Sequence, residues 1–123
     1  MRALVVEDSK TIRMILCEYL RKMGIQVVEA ADGREALDRL KEMSPPDLML
    51  VDWNMPVMNG IDFIRAVREL HVYDPLPLIM ITTNSECEHL GEAMEAGANE
   101  YIQKPCTFDA LREKIEQFGL LKT

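Results

Sequence analysis

The 123-residue chain has no excess of positive charge. Fourteen Lys and Arg against 21 Asp and Glu leave a net charge of −7, which repels a phosphate backbone and argues against direct nucleic-acid binding. Long apolar runs are also missing. None approaches the ~20 residues needed to span a bilayer, and no signal-peptide pattern precedes the first apolar stretch, so membrane insertion is not expected. Cysteines are scarce: Cys17, Cys87 and Cys106 are odd in number and include no C-x-x-C pair. That usage speaks against a disulfide framework and for a reducing, cytoplasmic setting. His71 and His89 stand too far apart for zinc-ligand spacing. Repeats, linkers and low-complexity tracts are absent as well. What is present, 48% hydrophobic and 28% charged residues, is ordinary for a globular protein. A chain of this length buries about two-thirds of its unfolded surface, so one domain over residues 1–123 is expected to form its own core.

Short apolar runs alternate with stretches of helical period. Arg2-Ala3-Leu4-Val5-Val6 is a β-prone run, and from Ser9 the period changes. Ile12, Ile15, Leu16, Tyr19, Leu20 and Met23 then mark one helical face, with Gly24 as a stop. Ile25–Glu29 reads as a second strand. Asp32 with Glu35 has capping-box spacing and opens a helix carrying Ala36, Leu37, Leu40 and Met43, ended by Pro45-Pro46. Asp47–Asp52 is the most apolar strand candidate, as suits a central parallel strand buried on both faces. Asn59-Gly60 opens a third helix with Ile64, Val67 and Leu70. Leu76–Ile81 is the fourth strand, running out at Thr82-Thr83. Ser85 and Glu88 suggest a capped fourth helix ending at Gly97, lightly apolar and rich in Glu. Glu100–Gln103 is a short last strand before Lys104-Pro105, and Leu111, Ile115 and Phe118 mark the final helix. Strict alternation predicts an α/β fold, a five-stranded parallel sheet with helices on both faces.

In such sheets chemistry gathers beyond the carboxyl ends of the strands. Those ends carry Glu7 and Asp8, Asp52, Thr82 and Lys104. Each has an ordinary reading on its own. An acidic residue after a strand caps the next helix, a Thr ends a turn, and a Lys before Pro is usually solvated. Brought to one edge, they suggest more. Clustered carboxylates repel unless a cation intervenes, and hard oxygen donors suit Mg²⁺. An Asp beside such an ion can attack phosphorus to give an aspartyl-phosphate. Lys104 would then offset charge on the transferred group, and Thr82 would donate a hydrogen bond to it. Asp52, ending the most buried strand, is the best nucleophile candidate.

Glu7-Asp8-Ser9, Asp52-x-Asn54-Met55-Pro56-x-x-Asn59-Gly60, Thr82 and Lys104-Pro105 resemble, in order and spacing across essentially the whole chain, the signature of response-regulator receiver domains. The resemblance implies a flavodoxin-like sheet of order 2-1-3-4-5 and a switch in two-component signalling. It makes Asp52 the phosphoacceptor, fed by a histidine kinase or phosphotransfer domain. Asp8 and Asp52 would bind Mg²⁺ through side chains, Glu7 through metal-bound water and Asn54 through its backbone carbonyl. Thr82 and Lys104 would touch the phosphoryl group, and Tyr101 matches an aromatic whose rotation accompanies Thr82 movement. The expected output surface, which would meet a downstream protein target, is the face of the fourth helix, fifth strand and fifth helix. Thr83 stands where many members have a smaller residue, narrowing phosphoryl access. Asn54 and Asn84 occupy positions that tune dephosphorylation, and neither is a strong base.

Three other readings are open to the residues. An aspartyl-phosphate phosphatase of the haloacid-dehalogenase type needs a second Asp two residues after the nucleophile, where this chain has Asn54. A flavin-phosphate binder would find its phosphate repelled by Glu7-Asp8. An inactive docking receiver would lack Asp52, Lys104 or the acidic pair, and all are present. The active receiver that the resemblance implies would catalyse its own phosphoryl transfer without being a turnover enzyme. Met1 directly before the first strand and Thr123 just after the last helix lead us to expect a stand-alone regulator, the alternative being the receiver of a larger one.

Overall fold

The five β-prone runs form strands β1 (Arg2–Val6), β2 (Gln26–Ala30), β3 (Leu48–Asp52), β4 (Leu78–Thr82) and β5 (Glu100–Gln103). Between and after them lie helices α1 (Lys10–Lys22), α2 (Gly33–Glu42), α3 (Gly60–Glu69), α4 (Leu90–Ala96) and α5 (Phe108–Gln117). This computed structural model describes residues 1–53, 57–70, 73, 76–83 and 90–120. His71, Asn84, Ser85, Cys87 and His89 lie outside the described residues, as does the expected start of the fourth helix; its described part is Leu90–Ala96. Four helices start where a short polar side chain accepts from a backbone N–H three residues on: Ser9, Asp32, Asn59 and Thr107.

All four strand pairings are parallel, and the sheet order is β2-β1-β3-β4-β5. The two-residue period of a strand sends alternate side chains to opposite faces. Leu4, Val6, Met49, Val51, Leu78 and Met80 therefore join one core with residues of α2, α3 and α4. Ala3, Val5, Leu48, Leu50, Ile79 and Ile81 join the other with residues of α1 and α5. Every residue of β3 and β4 is buried, as the unbroken apolar runs require. Fully burying a side chain such as Leu50 or Ile79 contributes about 1.5–3 kcal/mol.

Three expectations shift in detail. Ile25 belongs to the end of α1 rather than to β2. Its N–H donates to Leu20 O and that of Gly24 to Arg21 O, with Gly24 at φ 80°, so the pair closes the helix in a Schellman turn and β2 starts one residue later. Leu76 spends its N–H on Tyr73 O, and β4 begins at Leu78. On α1 the inward face runs through Leu16, Cys17 and Leu20, while Ile15 is 42% exposed. Cys17 behaves as a small apolar side chain there, which the helical pattern had not singled out.

One side chain ties the far end of the α2–α3–α4 core together. Arg68, near the end of α3, donates to the carbonyls of Gly97, Tyr73 and Leu76 and to Asn99 Oδ1. Asn99 Oδ1 also accepts from Leu78 N at 2.9 Å, so α3, the end of α4 and the start of β4 share one hydrogen-bonded knot.

Candidate functional site

Parallel strands deliver their carboxyl ends to one edge, and there the acidic residues meet. Glu7 follows β1, and its N–H still pairs with Ala30 O at 3.1 Å, which holds it in line with the sheet. Asp52 is the last residue of β3, in register with Ile81 of β4. Glu7 and Asp52 are 1% and 2% exposed, whereas Asp8 reaches solvent. Glu7, Asp8 and Asp52 each present a carboxylate oxygen within 4.8 Å of the others.

Lys104 enters from the turn after β5, where its N–H donates to Thr82 O and its bond to Pro105 is cis. Its Nζ lies 2.7 Å from Asp52 Oδ1 and 3.8 Å from Glu7 Oε2. Asp52 Oδ1 is thus held by an ion pair rather than an aligned hydrogen bond. Glu7 Oε1 accepts from Ser9 N at 3.1 Å, the same Ser9 that caps α1. Glu7 Oε2 is buried with no hydrogen-bond donor. Arg13 braces this corner, donating to Glu7 O at 2.8 Å and to Glu29 Oε1 at 3.1 Å.

The electrostatics follow from this crowding. Burial, and after it the Asp52 carboxylate, push Glu7 up to about 7, against a smaller opposing pull from the Ser9 N–H and Lys104. Three carboxylates face one ammonium. A buried acceptor with no donor, in an all-oxygen donor set carrying excess negative charge, fits a hard divalent cation.

The strands on either side supply the rest. Thr82 ends β4 fully buried, paired in register with Gln103, and Thr83 follows it half-buried. Tyr101 sits on β5 with 38% of its surface exposed. Gly60 lets the chain return tightly after β3: a Cβ there would lie 2.5 Å from Asp52 O, so only Gly permits this approach beside the acidic residue. Trp53 is partly buried against the α2–α3–α4 core. Asn54, expected to offer a carbonyl, lies outside the described residues. Sequence reasoning missed the partners of Tyr101, namely Glu100 and Lys114. Lys114 Nζ lies 3.4 Å from Glu100 Oε1 and 5.9 Å from the Tyr101 ring centre. No local spacing links a strand residue to a helix residue fourteen positions on, so no sequence signal existed.

Comparison with known proteins adds a second line. Residues 3–116 match the family described as the response regulator receiver domain. The chain is 41% identical over 117 residues to the chemotaxis protein CheY1 of Helicobacter pylori, covering 94% of each. It is 42% identical over 118 residues to the chemotaxis protein CheY of Pseudomonas aeruginosa, covering 95% of this chain and 94% of that one. Among solved structures, CheY4 of Vibrio cholerae superposes with a TM-score of 0.88 at 35% identity, covering 95% of this chain and 97% of that one. Among the described residues, no helix is long and apolar enough to cross a membrane.

Proposed function

This chain belongs to the response regulator receiver domain family, and we propose that it accepts a phosphoryl group on Asp52 and signals by changing its affinity for a protein partner. The observation that carries the reading is the meeting of Glu7, Asp8 and Asp52 within 4.8 Å, with Lys104 2.7 Å from Asp52, at the carboxyl edge of a parallel sheet. Asp8 and Asp52 would hold Mg²⁺ through their side chains and Glu7 would hold it through water, with Asn54 as the further ligand that the family resemblance implies. The ion supplies charge neutralisation to the transferred group when bound.

The chain's own residues do the rest. An Asp52 oxygen attacks phosphorus as the bond to the donor's imidazole nitrogen breaks, leaving an acyl phosphate. Lys104 moves its ammonium from the carboxylate to the incoming phosphoryl oxygens, so no new charge has to be brought in. Thr82 turns its hydroxyl toward the same oxygens, and the space it vacates admits the Tyr101 ring. Phosphorylation thereby biases a two-state element on the face of α4, β5 and α5, and a downstream protein that prefers the inward state gains affinity by the same coupling free energy. The donor is a histidine kinase or phosphotransfer domain. The near-complete overlap with chemotaxis proteins supports a regulator of that kind, acting through protein contacts.

Incubation with acetyl phosphate and Mg²⁺, followed by intact-mass measurement, tests the assignment. The expected result is one added phosphoryl group, lost with EDTA and in Asp52→Ala. Incorporation at wild-type level in Asp52→Ala overturns it.

A further inference from the structure

Tyr101 is held where it is by charge. Glu100 Oε1 accepts from the Tyr101 N–H at 3.0 Å, which fixes the carboxylate beside the strand. The same oxygen lies 3.4 Å from Lys114 Nζ, reaching across from α5. That ammonium in turn lies 5.9 Å from the centre of the Tyr101 ring, within the reach of a cation–π contact. The three groups close a loop: the backbone of Tyr101 positions Glu100, Glu100 positions Lys114, and Lys114 attracts the ring. All three are partly exposed, so the contact keeps much of its favourable geometry without a large desolvation cost. The ring makes this contact with 38% of its surface exposed. On the switch reading above, a ring turned toward Thr82 would leave Lys114 behind.

We infer that Lys114, positioned by Glu100, is a latch that holds Tyr101 outward and sets how often the unphosphorylated protein visits its active arrangement. The inference rests on the switch reading above and deepens it by naming what opposes the switch. An exposed cation–π contact of ordinary strength biases the outward-to-inward ratio by about two- to five-fold. When the inward state is the minor one, releasing the latch raises its population, and with it the basal partner affinity, by the same factor.

NMR on the full chain with ring-labelled tyrosine tests this, with Tyr101 assigned through Tyr101→Phe. Beryllofluoride with Mg²⁺ defines the inward end point. In the free protein, Lys114→Met keeps the aliphatic stem and removes the charge. It is expected to move the Tyr101 resonance toward the beryllofluoride position by an amount matching a two- to five-fold change. Lys114→Arg keeps a cation over the ring and is expected to stay at the wild-type position, while Glu100→Gln moves in the same direction as Lys114→Met but less far. Acetyl phosphate is still expected to add one phosphoryl group, at Asp52, in all three. A Lys114→Met resonance that does not move, alongside a wild type that responds to beryllofluoride, overturns the latch alone, as does an Arg variant that moves equally far. A wild-type resonance indifferent to beryllofluoride overturns the latch together with the switch.

Discussion

Glu7→Gln is the perturbation whose effect can be worked out furthest from the site geometry. Burial and the neighbouring Asp52 raise the Glu7 carboxyl from 4.5 to about 7 in the folded chain, so between these values the folded state binds more protons than the unfolded one. Stability changes with pH in proportion to protons bound unfolded minus protons bound folded, and here that difference is negative. The contribution is fully present below the unfolded value, fades as pH rises, and is gone once pH passes about 7. At ~1.4 kcal/mol per pH unit, the interval from 4.5 to about 7 amounts to about 3 kcal/mol at most. For a chain of 123 residues that corresponds to roughly 10 °C in Tm. Urea unfolding in EDTA at about pH 5 and about pH 8 reads the difference. Wild type should lose stability across this window, while Glu7→Gln, neutral throughout, should lose much less. Mg²⁺ at the higher pH should restore part of the wild-type loss, because a ligand that binds only the folded state stabilises it. An equal pH-dependent loss in both proteins would refute the reasoning and shift the effect to other groups.

Trp53 follows Asp52 directly, so Mg²⁺ should change its fluorescence, and Asp8→Ala should shift the titration to higher concentrations; a flat response to tens of millimolar Mg²⁺ counts against the metal site. Val57, in the turn before α3, has φ 67° and is 84% exposed, so a β-branched residue sits in the left-handed region with little packing to hold it there. Val57→Asn should therefore stabilise the fold by about 1 kcal/mol in a urea titration, since Asn tolerates that conformation; a loss of stability would show that the side chain packs usefully after all.

Most of the fold was legible because the chain uses strong local signals. The apolar run through Asp52 could only be a strand buried on both faces, and Ser9, Asp32 and Asn59 announce helix starts by the residue type that caps them. Ile25 was misassigned to a strand because a hydrophobic residue after Gly serves a Schellman turn as well as a sheet edge, and periodicity cannot separate the two. The acidic edge was legible for a different reason. Parallel topology sends the ends of β1, β3, β4 and β5 to one place, so Glu7, Asp52, Thr82 and Lys104 meet whatever their separation in sequence. What the sequence could not disclose were contacts set by side-chain reach, such as Lys114 over Tyr101. Nor does any sequence pattern foretell that burial drives Glu7 toward neutrality while leaving its second oxygen without a donor.

The Arg68 knot has a mechanical meaning. Its guanidinium grips Gly97 O and Asn99 Oδ1 at the carboxyl end of α4, and the same group is bolted to Tyr73 and Leu76. At 1.5 Å per residue, the seven residues of Leu90–Ala96 make a rod ~10 Å long. A rod pinned at one end answers a push at the other by turning. A displacement of ~1 Å at Leu90 therefore corresponds to a tilt of about 6° about the grip at Gly97. Gly97 suits a fulcrum, with φ 126° and no side chain; a Cβ there would stand 2.5 Å from Arg68 Cγ and push the pin out of its socket.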